Sequence, residues 1–140
     1  MKLRTVMPAL KGATEILNHV QHLPKSATLI YFWSMSCPQC EQSIAKLKEI
    51  EKIFQKRLLI RTIHMPRNET DHSMEKLQAM VKRLQISLPV FADHDLKISD
   101  AFGNVIVPAY YLFDDQQQLR FYQAGFISSK SLQQKIERIL

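Results

Sequence analysis

Apolar and polar positions along the chain fall into alternating segments of two different periods. Ser26–Trp33 (SATLIYFW) is continuously apolar, β-branched and aromatic, the pattern of a buried central strand. Beyond Cys37, the residues Cys40, Ile44, Leu47, Ile50 and Phe54 recur at helical spacing and predict an amphipathic helix running to about Gln55. Arg57–Met65 (RLLIRTIHM) reads as the next strand, ended by Pro66. The polar run RNETDHSM carries helix-start residues, and Met74, Leu77, Val81 and Leu84 mark a second helix. Leu88–Asp93 predicts a short strand, and DLKISDAFG a short helix closed by Gly103. Pro108–Asp115 is a strand that opens on a proline, DDQQQ a turn, and LRFYQAG its hairpin partner. Ser128 or Ser129 then caps a last helix in which Leu132, Ile136, Ile139 and Leu140 face inward.

Strand–helix–strand alternation followed by a hairpin and a closing helix predicts an α/β sandwich. Its mixed central sheet should carry helices on both faces. No repeat, low-complexity stretch or linker interrupts the chain, so one domain over residues 1–140, with its own core, is expected.

Composition narrows the function classes. Only Gly12, Gly103 and Gly125 are glycines, too few for a Gly-rich phosphate loop. Nineteen Lys and Arg against thirteen Asp and Glu give a net charge of +6, which raises nucleic acid or an acidic membrane as a partner. Bases and acids alternate, however, as in KLKEIEKIFQKR, so no single-sign block forms, and no nucleic-acid or membrane partner is expected. The start, MKLRTVMPALKGATEILNHV, lacks an apolar stretch of about 7–15 residues, and no window approaches the roughly 18 apolar residues of a membrane span. A cytoplasmic monomer is the expectation.

The chemistry-bearing feature is the pair Cys37 and Cys40, placed where the first strand hands over to the first helix. Unpaired N–H groups and the helix dipole at that terminus favour a thiolate on Cys37. Pro38, expected at the first helical position, has no N–H to waste there. Cys40, less than a turn away, is close enough to close a reversible bridge. By position, Cys37 should be the attacking thiolate and Cys40 the more buried resolving thiol. The competing reading is half of a zinc site: zinc takes about four ligands, and His19, His22, His64, His72 and His94 are the other candidates. Pro108 has two readings as well. It is either an ordinary first strand residue or the second residue of a cis Val107–Pro108 bond, which would leave the Val107 N–H and C=O free to pair with an extended substrate.

FWSMSCPQC, followed by VPAYYLFD and then QAGFISSKSLQQKIERIL, resembles the thioredoxin-fold thiol–disulfide oxidoreductases over nearly the whole chain. The segment before Pro108 that contains LPVFAD resembles the TlpA/peroxiredoxin-type insertion of the TlpA/ResA-like branch. MKLRTVMPALKG and IHMPRNE are most similar to the small soluble YkuV-type proteins of bacilli. The resemblance implies a thioredoxin-like three-layer sandwich with a redox-active Cys37–Cys40 disulfide and no other cofactor or metal. It also implies disulfide-containing client proteins and a dithiol electron donor. Pro108 is implied as a cis-proline of the substrate groove. Trp33, Val107 and Gly125 join it in the substrate-binding set, with Trp33 also packing behind the site. Pro38 and Gln39 tune the helix terminus; Gln39 offers an amide donor but no charge, so an intermediate potential nearer thioredoxin is expected.

Two departures from the family pattern stand out. The buried aspartate of thioredoxins is replaced by Tyr31, and the glutamate of ResA-like proteins by Ser43. Glu41 is the nearest carboxylate in sequence and is expected to face solvent. The expected activity is that of a cytoplasmic disulfide reductase. The alternatives are a thiol peroxidase, which Ile30 and Ser34 disfavour at the places of a Pro-x3-Thr-x2-Cys pattern, and a non-redox zinc-binding or scaffold protein.

Overall fold

A computed structural model describes residues 1–19 and 26–140. Six strands form one sheet: β1 (Glu15–Leu17), β2 (Ala27–Trp33), β3 (Leu58–His64), β4 (Val90–Ala92), β5 (Ala109–Phe113) and β6 (Leu119–Ala124), in the order β1-β4-β3-β2-β5-β6. β2 lies parallel to β3 and antiparallel to β5, so the sheet is mixed, as the alternation predicts. Every residue of β2 is buried, the burial expected of a continuous apolar run with a strand on each side and cover on each face.

The α-helices among the described residues are α1 (Cys40–Phe54), α2 (Met74–Arg83), α3 (Lys97–Phe102) and α4 (Ser129–Ile139). Alternation along β2 divides the core in two. Leu29, Tyr31 and Trp33 pack with α1, α2 and α4 through Ile44, Leu47, Leu77, Leu132 and Ile136. Ile30 and Phe32 point the other way, onto Ile98 and Phe102 of α3 and onto Met7, Leu10, Ala13 and Ile16 from the N-terminal segment. Gly12 is required in that segment: its φ is +96°, and a Cβ there would stand 2.7 Å from Lys97 Cδ. The segment also runs beside the start of β6. Arg4 N–H donates to the Leu119 carbonyl at 2.7 Å, Leu119 N–H to Thr5 at 2.9 Å, and Met7 N–H to Gln117 at 2.8 Å.

Three local expectations need correction. β1 escapes the periodicity because it is three residues long and only half-buried. Leu140, expected to face inward, lies beyond the end of α4 and is 46% exposed. Pro108 precedes β5, which begins at Ala109. Ser128 is the cap of α4, its hydroxyl accepting from Ser131 N–H.

α3 starts without a capping side chain of its own, behind Leu96 in the left-handed region. Asp93, fully buried, takes over that role by accepting from Ile98 N–H at 3.0 Å, Ser99 N–H at 2.8 Å and Ser99 Oγ at 2.7 Å. Asp93→Ala strands these donors in a dry site. It should lower stability by about 3 kcal/mol, read as a lower urea midpoint at unchanged m-value.

Candidate active site

Cys37 and Cys40 are joined in a disulfide whose Cα atoms are 5.4 Å apart. Cys37 keeps 5% of its surface exposed, whereas Cys40 has none. Pro38 and Gln39, between them, face solvent. The helix starts later than expected. Cys40 N–H turns back to the Cys37 carbonyl at 3.2 Å, and the first full helical bond runs from Ser43 N–H to the Gln39 carbonyl at 3.2 Å. Gln39 is therefore the cap, and Pro38 lies in the preceding turn rather than at the first helical position.

The loop that presents Cys37 is held from the end of β3. Ser34 Oγ donates to the Met65 carbonyl. Met35 N–H donates to His64 Nε2 at 3.1 Å. Ser36 Oγ donates to the buried Asp71 carboxylate at 2.7 Å, which also accepts Arg67 N–H at 2.9 Å. Arg67 in turn donates to the Ser36 carbonyl at 2.8 Å. Sequence reasoning missed this set. Asp71 and Arg67 lie in a polar run indistinguishable from a solvated loop, and His64 appeared only as a possible metal ligand.

Beneath the disulfide lie aromatic rings. Trp33 is completely buried, stacks edge-on against His64 at 5.0 Å, and donates Nε1–H to Thr62 Oγ1 at 3.2 Å. Its place is behind the site, away from solvent. Tyr31 donates its hydroxyl to the Cys40 carbonyl at 3.4 Å, and burial, then the neighbouring Tyr110, push its ionisation far up. Glu41 is exposed and pairs with Arg83 of α2 at 3.2 Å.

The rim is apolar. The Val107–Pro108 peptide bond is cis. Gly125, at φ +84°, donates its N–H to the Pro108 carbonyl at 2.8 Å. Among the described residues, no backbone group pairs with Val107. Val105 (82%), Ile106 (52%) and Phe126 (75%) are exposed around this loop. A cleft of about 230 Å³ lies between Gln39, Gln42, Ser43, Lys46, Pro108 and Phe126. The Lys46 ammonium sits 4.7 Å above the Phe126 ring and donates to the Ile127 carbonyl. As for zinc, both cysteines are bonded to each other, and His22 lies outside the described residues. His72 and His94 stack at 5.3 Å.

A family profile described as AhpC/TSA matches residues 6–122. The chain belongs to the AhpC/TSA family. It is 39% identical to thiol-disulfide oxidoreductase YkuV of Bacillus subtilis (strain 168), over all of this chain and 97% of that one. It is 26% identical to the thioredoxin-like protein SkfH of the same organism, over 77% of this chain and 75% of that one. A thioredoxin-like protein solved in its oxidised form superposes with a TM-score of 0.89 at 38% identity, covering 99% of this chain and 97% of the other. The thioredoxin-like superfamily protein SPOA0173 superposes with a TM-score of 0.86 at 20% identity, over 96% and 95% of the two chains, which bears on the fold alone. The AhpC/TSA chain therefore has the thioredoxin-like fold, and its activity class is thiol–disulfide oxidoreductase. Among the described residues, no helix is long and apolar enough to cross a membrane.

His64 in this AhpC/TSA protein is fully buried, and burial holds its imidazole down at about 4, against the pull of Asp71. It is neutral at pH 7, as an acceptor of Met35 N–H must be. Below pH 6.5 the unfolded chain binds a proton that the folded imidazole refuses until about pH 4. Stability is therefore whole above that window and falls through it, by a total on the order of 3 kcal/mol. Urea titrations of wild type and His64→Gln between pH 7 and 4.5 should show a steeper loss in wild type; equal slopes would remove the neutral-acceptor role.

Proposed function

We propose that this thiol–disulfide oxidoreductase is a cytoplasmic reductase of protein disulfides, working as a monomer of one domain over residues 1–140. Cys37 is the nucleophile and Cys40 the resolving thiol. The observation that carries this reading is the Cys37–Cys40 bond at the strand-to-helix handover, with Cys37 retaining a solvent edge and Cys40 none. In the reducing direction, the Cys37 thiolate attacks a client disulfide, and one client sulfur leaves as a thiolate and takes up a proton. Cys40 then loses its proton and attacks Cys37 Sγ, and the second client sulfur leaves. The client gains two electrons, the pair becomes a disulfide, and a dithiol donor restores it.

The free backbone of Val107 supports main-chain pairing with an extended client segment, and the exposed Ile106 and Phe126 support apolar contact on either side of it. Pro108 and Gly125 belong to the same groove. Because the Gly125 N–H is already engaged, its part there is to leave open space, with nothing within 4 Å of where a Cβ would stand.

Cys40→Ser should accumulate clients as mixed disulfides on Cys37, whereas Cys37→Ser should capture few; equal capture by both would refute the assignment. Wild type should also reduce insulin with dithiothreitol as donor and consume peroxide poorly. Gln39 supplies a neutral donor where a charged one would favour the thiolate more strongly. A glutathione series should therefore give a reduction potential between about −270 and −120 mV, in the half nearer the lower value. A result outside that interval would contradict the role given to Gln39.

A further inference from the structure

Asn104 stands between the end of α3 and Pro108, and it is buried although Val105 and Ile106 beside it are exposed. Its side-chain amide is fully engaged. Nδ2 donates to the Ile106 carbonyl at 3.1 Å and to Met65 Sδ at 3.6 Å, and Oδ1 accepts from the Tyr111 hydroxyl at 2.9 Å. The Ile106 carbonyl can only accept, which fixes the way round that the amide lies. The Asn104 N–H is held as well, by the Ser99 carbonyl of α3 at 2.8 Å.

A buried amide costs free energy unless its hydrogen bonds are made, and an apolar side chain would fill the same place without that demand. What the amide adds is a grip on one peptide group. The Ile106–Val107 unit is trans, so its C=O and N–H point in opposite directions. With the carbonyl drawn to Asn104, the Val107 N–H is turned away from it, and among the described residues no backbone group receives that N–H. The other contact of Nδ2 is with Met65, which also steadies the loop carrying Cys37. The Met65 carbonyl accepts from Ser34 Oγ, and its N–H donates to the Trp33 carbonyl at 2.8 Å. The Cys37 loop and the Val107 loop therefore share one anchor.

We propose that Asn104 is a positioning residue for client binding: by holding the Ile106 carbonyl it sets the Val107 N–H to pair with the main chain of an extended client. The proposal rests on the reading that clients pair with the Val107 backbone. The exposed side chains of Val105 and Ile106 give this loop little packing of its own, so the amide contacts are what keep the peptide unit in one orientation. Without them the unit rotates, and each client has to order it on binding, at a cost in conformational entropy. A small disulfide with no peptide around it makes no such pairing and is indifferent to that orientation. Asn104 therefore acts on the affinity for extended clients and not on the exchange of sulfur bonds.

Single turnovers of the full-length reduced protein test this with probes that share one leaving group. Ellman's reagent is a thionitrobenzoate disulfide without a peptide. The second probe is a short peptide whose central cysteine is joined to thionitrobenzoate, made also with ester links in place of the amides on either side of that cysteine. In Asn104→Leu the peptide concentration at half-maximal rate should rise at least about threefold, with the maximal rate and the rate with Ellman's reagent within about twofold of wild type. The advantage of the amide peptide over its ester should shrink by a similar factor. Asn104→Leu combined with Tyr111→Phe removes both partners of the buried hydroxyl bond, and gives the same readout should the single variant be unstable. An unchanged half-saturation, equal losses with all three probes, or loss of the fold in both variants would overturn the proposal. A wild type that treats the amide and ester peptides alike would instead overturn the main-chain pairing beneath it.

Discussion

The bond from Met35 N–H to His64 Nε2 ties the loop carrying Cys37 to the end of β3, and the chemistry depends on that tie. Parallel pairing of β2 with β3 brings Trp33 opposite His64, so the two strands end side by side. Ser34, Met35 and Ser36 then each find a partner on or just beyond β3: Met65, His64 and Asp71. A loop fixed at three consecutive residues presents its sulfur in one position. Thiolate attack along a disulfide axis needs that alignment, and a freely moving loop would spend conformational entropy to reach it.

The floor of the site is built without charge. Where a carboxylate would have to be desolvated, the chain places Tyr31 and Ser43. A buried carboxylate costs free energy whenever it ionises, and it changes its own charge during each turnover. Phenols and a serine hydroxyl stay neutral through the whole cycle, so the core beneath the disulfide keeps one protonation state. The ionic groups stand at the periphery, in the Glu41–Arg83 pair and in Lys46 over Phe126. The Lys46 ammonium is itself partly desolvated, which shifts its proton affinity downward.

Periodicity made the layers legible. The unbroken apolar run at Ala27–Trp33, the helical spacing from Cys40 to Phe54 and the hairpin around DDQQQ each became the element they predict. The cysteine pair was legible too, because spacing and position act locally. Contacts between distant segments were not. The burial of Asp71 depends on Ser36, thirty-five positions away, and the capping of α3 depends on Asp93 rather than on the residue next to the helix. β1 was hidden for a related reason: three half-exposed residues become a strand only because β4 offers an antiparallel partner. The start of α1 was misplaced by a turn whose hydrogen bond closes over three residues instead of four, a choice that a Pro–Gln dipeptide leaves open.

The N-terminal segment, whose Arg4, Thr5 and Met7 backbone groups bond to Leu119 and Gln117, bears on solubility. An outer strand displays a row of free amide groups, the template on which misassembly propagates. At the start of β6 that row is already filled from within the same molecule, and at the opposite border stands the three-residue β1. At the start of β6 an invading strand would have to peel away this segment, together with the Met7 and Leu10 side chains seated on the α3 layer.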